Sequence, residues 1–381
     1  MNILHACLSN YYVDQFSYQE NEIVQQNVID GHNVKVVAST ETFGENRELV
    51  YVSPSSYIGG DGAEVVRLAY SRLLPHSIMR KLRIHPGFMK QLQAFQPEVI
   101  LFHGTCGWEL NTVVKYKKQN PSIKLYVDSH EDFNNSARTW ISKWMLHFLY
   151  YRTILRCNLK WIDRILCINV SAMDFLRDFY GVPSSQLEFF PLGGKILEDA
   201  EYLDRRNSTR KIYGVEAEEI LFVQSGKMDS SKKLLESLRA FSSINNPRFR
   251  FIAVGHIHDD IASEAAALIS RDPRIVFDGW KSSEELRDLL CAADVYVQPG
   301  TQSATMQMSL CCRCAVMLDD VPSHHPFLEG NGWLIGASCS MEQAFEEAGN
   351  QPGGLHNMGG KSHAIASRLL DYRSLAARLY R

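Results

Sequence analysis

Residues 274–300 read RIVFDGWKSSEELRDLLCAADVYVQPG. A short apolar run, RIVFDGW, gives way to an amphipathic helical pattern, SSEELRDLLCAA, and then to a second apolar run, ADVYVQ, that stops at Pro299-Gly300. Strand, helix and strand in so short a space make the repeating unit of a parallel sheet, because parallel neighbours need a crossover. The same alternation extends outward through EILFVQSG (219–226) and FRFIAVGH (249–256), with the helical run KKLLESLRAFSSI (232–244) between them.

The N-terminal half repeats the scheme. MNILHACLS, GHNVKVVAS, PEVILFHG and IKLYVDSH read as buried strands, and YQENEIVQQNVIDG sets Ile23, Val24, Asn27 and Val28 on one helical face. Strands alternating with helices predict a sheet covered on both faces, so the chain reads as two tandem doubly wound α/β domains. The polar stretch EDAEYLDRRNSTR divides them. We place the first domain at 1–200 and the second at 201–360. The run QPGGLHNMGGK reads as a glycine-rich loop, and 361–381 as an amphipathic helix packing back on the first domain.

A chain of 381 residues, 45% apolar and 22% charged, suits a two-domain globular protein. MNILHACLSN has no basic and apolar leader, and no apolar run approaches the ~18 residues needed to span a bilayer. The expectation is a cytoplasmic protein whose nine cysteines are reduced thiols. Cys311, Cys312 and Cys314 have the wrong spacing for a metal site, so they read as packed core thiols, and no metal centre is expected. The net charge of −3 hides a basic segment: fifteen Lys or Arg against five Asp or Glu lie between Arg67 and Lys160. Such a segment suits an anionic partner.

Ligands of open α/β sheets bind beyond the carboxyl ends of the strands, so chemistry is sought on the loops there. Gly226-Lys227 ends one strand, and Lys232-Lys233 stands where a helix begins, a combination that suits a diphosphate. After Pro299, the small residues Gly300, Thr301, Gln302, Ser303, Ala304 and Thr305 allow backbone N–H groups close to a ligand and bring no repelling carboxylate. A capped helix or a solvated basic turn would explain each of these stretches alone. DSHED (128–132) concentrates Asp128, His130, Glu131 and Asp132 at another strand end, either as a helix cap or as a site where His130 meets a sugar hydroxyl.

Together these segments resemble the GT-B glycosyltransferases, specifically the large retaining family numbered four. RIVFDGWKSSEELRDLLCAADVYVQPG is similar to that family's run into the donor loop, and ILCINVSAMDFLRDFYGVPSSQLEFFPLGG to its approach to the interdomain linker. SGKMDSSKK resembles the pattern Gly-Arg-Leu, three residues, Lys-Gly, with Lys227 on the arginine and Lys232 on the lysine. The family's two donor-loop glutamates, separated by seven residues, fall on Pro299 and Gln307.

The resemblance implies a GT-B architecture, with an interdomain cleft and a C-terminal helix that crosses back. It implies a metal-independent, retaining hexosyltransferase-like enzyme without a cofactor, using a nucleotide-diphosphate sugar, UDP-linked or GDP-linked. Lys227 and Lys232 would stabilise the departing phosphates, and His130 would orient the sugar. Gly226, Trp280 and residues 300–305 would hold the donor, and Gln307 would contact the ribose. Tyr11, Tyr12, Asp14 and His103 are acceptor-side candidates.

The expected acceptor is a glycan or polyprenyl-linked glycan in surface polysaccharide, lipopolysaccharide or capsule assembly. For residues 138–160 the helical reading aligns Trp140, Trp144, Phe148, Tyr151 and Leu155 on one side, with Arg152, Arg156 and Lys160 on another. That face suits either a core stripe or peripheral contact with an anionic membrane. No nucleic-acid module is recognised. A sugar-nucleotide epimerase and a non-catalytic nucleotide-sugar-binding module are the competing functions.

Overall fold

The computed structural model describes all residues except 45–47, 134, 135, 137, 138, 141, 351 and 381, and leaves out the side chain of residue 352. Two compact units form: Met1–Pro191 with Tyr372–Arg381, and Leu192–Asp371. The break thus lies at 191/192, ahead of the polar stretch that suggested 200/201. That stretch is not a linker, because Asp199–Tyr213 is a helix of the second unit. Arg206 and Arg210 on this helix bond Asp294 at 2.5 and 3.1 Å, and their guanidiniums also cover the carbonyls of residues 291–293.

The first unit carries an eight-stranded sheet. Its strands are β1 (Asn2–Cys7), β2 (Asn33–Ser39), β5 (Ser55–Ile58), β6 (Glu64–Leu68), β7 (Val99–Phe102), β8 (Lys124–Ser129), β9 (Arg164–Cys167) and β10 (Leu187–Phe189), with β3 (Glu41–Phe43) and β4 (Leu49–Tyr51) as a separate hairpin. The order is β10-β9-β8-β7-β1-β2-β6-β5, parallel throughout except for β5 against β6. β1, β7 and β8 are almost wholly buried, as their unbroken apolar runs require of strands covered on both faces.

The second unit has a six-stranded parallel sheet ordered β13-β12-β11-β14-β15-β16. These strands are β11 (Ile220–Met228), β12 (Phe249–Ile257), β13 (Ile275–Phe277), β14 (Val295–Gln298), β15 (Ala315–Asp319) and β16 (Gly332–Ile335). Phe222, Phe241, Phe249, Phe251 and Phe345 meet in its core. The opening stretch therefore spans β13, the helix Ser283–Ala292 and β14. Ser282 caps that helix by accepting from the Glu285 N–H while Glu285 returns the contact, a reciprocal pair that fixes where the helix starts.

Residues 352–361 of the glycine-rich run are not a loop. Pro352–Leu369 is one helix, in which proline sits at the start, where its missing N–H costs nothing. Gly359 serves packing, since a Cβ there would lie 2.5 Å from the Arg313 carbonyl. Of the expected C-terminal helix, residues 361–371 stay with the second unit, and only 372–381 join the first.

Strand order reverses between β1 and β7 in one sheet and between β11 and β14 in the other. The loops after those four strands are consequently where each unit presents groups to a ligand.

Candidate functional site

In the second unit, the loops after β11 and β14 are joined by named contacts. Lys232, in the turn Ser230–Lys232, donates to the Thr301 carbonyl at 3.1 Å and to Thr301 Oγ1 at 2.7 Å. Burial pulls its pKa down. The close approach is made possible by Gly300, where a Cβ would sit 2.3 Å from the Ser231 carbonyl oxygen. Asp229 caps the turn by accepting from the Ser231 N–H at 3.0 Å. Lys233, on the final glycine of the Gly-Arg-Leu pattern, has φ +50°, a conformation that explains why a glycine suits that place. Its ammonium bonds Asp319 at 2.6 Å.

Gln298 organises the second loop. Its Nε2 donates to the Thr301 carbonyl at 2.6 Å, while its Oε1 accepts from Tyr296 OH at 2.9 Å and Ser303 Oγ at 3.0 Å. Ser303 then caps the helix Ala304–Cys311, accepting from the Met306 N–H at 3.3 Å. On that helix Gln307 is 1% exposed, and neither its Oε1 nor its Nε2 has a hydrogen-bond partner. Gln302 Oε1 and His324 Nε2 are likewise buried without a partner, although His324 Nδ1 donates to the Asp319 carbonyl at 2.9 Å. Buried polar atoms are normally satisfied, so these exceptions leave donors and acceptors available to a ligand.

Gly226 and the exposed Lys227 end β11 beside Gly255 and His256 of β12. Trp280 is 53% exposed beyond β13, in a turn where Asp278 accepts from Tyr213 OH at 2.5 Å and pairs with Lys281 at 2.8 Å. Cys311, Cys312 and Cys314 are buried thiols, and Cys314 donates to the Leu290 carbonyl at 3.2 Å.

In the first unit the strand ends hold a buried hydrogen-bonded chain. Asn27 Oδ1 lies 2.9 Å from His5 Nε2, His5 Nδ1 lies 3.0 Å from His103 Nε2, and His103 Nδ1 lies 2.5 Å from Asp128 Oδ2. The Gly104 N–H donates to the other Asp128 oxygen at 2.7 Å. With Asn27 Oδ1 accepting, His5 carries its proton on Nε2 and accepts through Nδ1, which makes both nitrogens of His103 donors. The energetics agree. Burial brings the His5 pKa down to about 3, with the neighbouring His103 adding to that effect. For His103, burial works downward, but the Asp128 charge outweighs it and raises the pKa above the ordinary imidazole value. Asp128, which burial alone would raise, is held low by His103.

His103 is therefore not an open acceptor-side group but the buried centre of this chain, only 2% exposed. His130 is partly exposed and lies 3.9 Å from the same Asp128 carboxylate. Tyr12 is fully buried, its hydroxyl donating to Asp61 at 3.1 Å. Asp14 accepts from the N–H groups of Gln15 and Gly60 at 3.0 and 3.2 Å. Tyr11 stays partly exposed and accepts from Arg80 at 3.2 Å.

No family model and no curated protein matches the sequence. Solved structures do match. The chain is similar to a sucrose-phosphate synthase from Thermosynechococcus elongatus at TM-score 0.65 and 14% identity, covering 99% of this chain and 97% of that one. It is similar to Anabaena HepE at 0.63 and 14%, covering 99% and 98%, and to the glycosyltransferase WaaG at 0.63 and 14%, covering 98% of each. The GT-B fold is shared over the whole chain.

Of the sequence-derived residues, the structure brings Lys232, Gly300, Thr301 and Ser303 into one bonded assembly, with Gln307 on the helix that assembly caps. Sequence reasoning missed Gln298, His324, His5 and Asn27. His5 and Asn27 lie apart along the chain inside apolar strand and helix patterns, and only the packing of the helix Gln19–Ile29 against β1 makes them neighbours.

The aromatic face is also redistributed. Tyr151 and Leu155 are core residues at 3% and 0% exposure, whereas Trp140, Trp144, Met145 and Leu149 are exposed. The cause is the π-helical turn pattern of Ser142–Tyr151, which adds a residue to each turn and rotates the four-residue stripe off one face. Arg138 and Ile141 lie outside the described residues.

Proposed function

We propose that the protein transfers a sugar, with retention, from a nucleotide diphosphate to a hydroxyl of a glycan or lipid-linked glycan. The observation that carries this reading is Gln307: a buried amide with an unused donor and an unused acceptor suits a pair of ribose hydroxyls, which can accept and donate in turn. One neighbour supports a uridine nucleotide. HepE has been crystallised with UDP and with UDP-glucose, and shares this chain's fold.

In this reading Lys232 and Lys227 and the free N–H groups at the start of the helix Ala304–Cys311 meet the diphosphate, where charge develops as the sugar leaves. Preorganised cations and dipoles at such a point are worth several kcal/mol (about 3–4 for one donor). The lysines make a divalent cation at the phosphates unnecessary. On the first unit, His130 is the candidate group for the sugar or its acceptor, and Asp128 positions it.

WaaG is a glycosyltransferase involved in lipopolysaccharide biosynthesis and WaaB is a lipopolysaccharide outer core galactosyltransferase, which supports surface glycolipid assembly as the setting. No helix among the described residues is long and apolar enough to cross a membrane. We assign contact with an anionic membrane to the exposed Trp140, Trp144, Met145 and Leu149 together with nearby Lys143 and Arg156. Salt-insensitive failure to sediment with anionic vesicles would remove that assignment.

The deciding experiment is a screen of UDP- and GDP-sugars for thermal stabilisation, followed by product analysis with and without an acceptor. Transfer supports the proposal. Donor rearrangement without an acceptor points to an epimerase, and tight binding without turnover points to a binding module, the outcome that Pro299 in place of a carboxylate would favour.

A further inference from the structure

We propose that Cys106, Glu131 and His147 bind one divalent metal ion of the zinc class in the first unit. Cys106 lies in the loop after β7, Glu131 two residues beyond β8, and His147 on the helix Ser142–Tyr151. One ligand atom from each residue lies within 4.8 Å of the other two. Cys106 and His147 are buried, and Glu131 is half-buried. None of the three belongs to the groups assigned to the nucleotide, so the proposal stands apart from the transfer reading.

Geometry and chemistry both select the ion. Bonds of about 2.0–2.3 Å in a tetrahedral site put ligand atoms roughly 3.3–3.8 Å apart. Side-chain adjustments of about 1 Å would close the triangle. A thiolate, an imidazole and a carboxylate together suit Zn²⁺ better than Mg²⁺ or Ca²⁺, which prefer all-oxygen shells. Three protein ligands leave a fourth position for water or a hydroxyl.

The surroundings supply outer contacts of the kind that orient metal ligands. Tyr180 OH lies 2.8 Å from His147 Nδ1, which leaves Nε2 for the metal. Thr105 Oγ1 donates to Glu131, as does the Cys106 thiol. On binding, the Cys106 S–H bond breaks, the proton leaves to solvent and the sulfur–metal bond forms. The two charges of the ion are then matched by one thiolate and one carboxylate. Arg83, bonded to the Ser9 carbonyl, adds a cation that favours the charged forms of Cys106 and Glu131 from outside the ligand set. The ion would tie three distant segments together and fix the backbone beside His130, which adjoins Glu131.

The test uses the full chain, reduced and stripped with a chelator, then titrated with Co²⁺ as a visible probe. Expected are one Co²⁺ per chain, a thiolate-to-cobalt charge-transfer band, and displacement by one equivalent of Zn²⁺. The band should vanish in Cys106→Ser and survive in Cys157→Ser and Cys339→Ser, whose thiols lie elsewhere on the chain. Glu131→Gln and His147→Gln should weaken binding about tenfold or more. No thiolate band in the unaltered protein overturns the proposal without recourse to any variant. A band that persists in Cys106→Ser overturns it equally, with cooperative thermal unfolding showing that the variant is folded.

Discussion

Replacing Gln307 by methionine separates a ligand-binding amide from a merely buried one, because only in the first role should stability rise while nucleotide affinity falls. The side chain is 1% exposed and both its polar atoms lack partners. Each buried unsatisfied group costs about 1–3 kcal/mol. Methionine has similar length and helix propensity, so packing on the helix Ala304–Cys311 changes little. The ligand-free variant should therefore be more stable, by about 1–2 kcal/mol after allowance for imperfect packing. Nucleotide binding should move the other way. Two hydrogen bonds at about 0.5–1.5 kcal/mol each amount to roughly 5- to 150-fold in affinity. Urea unfolding without nucleotide gives the first quantity, and calorimetric titration with UDP and with its 2′,3′-dideoxy analogue gives the second. The unaltered protein should discriminate between the two nucleotides, whereas Gln307→Met should bind them nearly alike, which isolates the pairwise coupling. A variant that loses stability while keeping both affinities would show that Gln307 is an ordinary core residue.

Lys232→Ala should weaken UDP binding at least about tenfold and flatten its salt dependence, since a half-buried ammonium among diphosphate oxygens is screened less than a surface charge; unchanged affinity by calorimetry would contradict the phosphate assignment. Gly300→Ala should also weaken nucleotide binding while leaving cooperative unfolding intact, because its Cβ would press on the Ser231 carbonyl and part the two loops. Asp128→Asn should cost about 3 kcal/mol of stability, the loss expected when one partner of a buried charge pair is removed. The raised His103 pKa makes this contribution complete below the unfolded value of 6.5 and lost as pH rises through the folded value. The lowered Asp128 pKa makes it complete above 3.8 and lost as pH falls through the folded value. The gap between the two proteins in denaturant melts should thus be widest between those limits and shrink at alkaline pH; a gap constant across pH would refute the ion pair.

The alternation of apolar runs and amphipathic helices was enough to read two doubly wound sheets, because buried parallel strands cannot hide their composition. The loops after β11 and β14 were legible for a related reason. Lys232, Gly300 and Ser303 lie in the loops that follow those strands, so their positions could be counted from local pattern. The run 351–361 misled because glycine has two uses. Its freedom suggested a loop, whereas Gly359 is small so that a helix can approach the Arg313 carbonyl. The stripe at Trp140, Trp144, Phe148, Tyr151 and Leu155 misled because four-residue spacing presumes an α-helix, and Ser142–Tyr151 is π-helical. The His5–His103–Asp128 chain was beyond reach. Each member sits in an apolar strand or at its end, and no local pattern says which strands are neighbours.

The substitution of both donor-loop carboxylates shifts the work of the loop onto other groups. Pro299 offers no side-chain hydrogen bond and no backbone N–H, so its carbonyl is the one polar group left at that position for a sugar hydroxyl. Gln298 does not replace it, because both ends of its amide are already engaged by Thr301, Tyr296 and Ser303. What remains to face a ligand is backbone N–H groups, the Lys232 ammonium and the unpartnered Gln302, Gln307 and His324 atoms. Lys232 is itself held by Thr301 Oγ1, a neutral partner that a phosphate oxygen would outbid as a charged acceptor. Under the proposed function the loop is thereby weighted toward the nucleotide and its phosphates, and away from the sugar. Selection of the sugar would then fall to the neutral acceptor His324 Nε2 and to groups outside this loop, and donor choice in this protein should respond more to substitution at His324 than at Pro299.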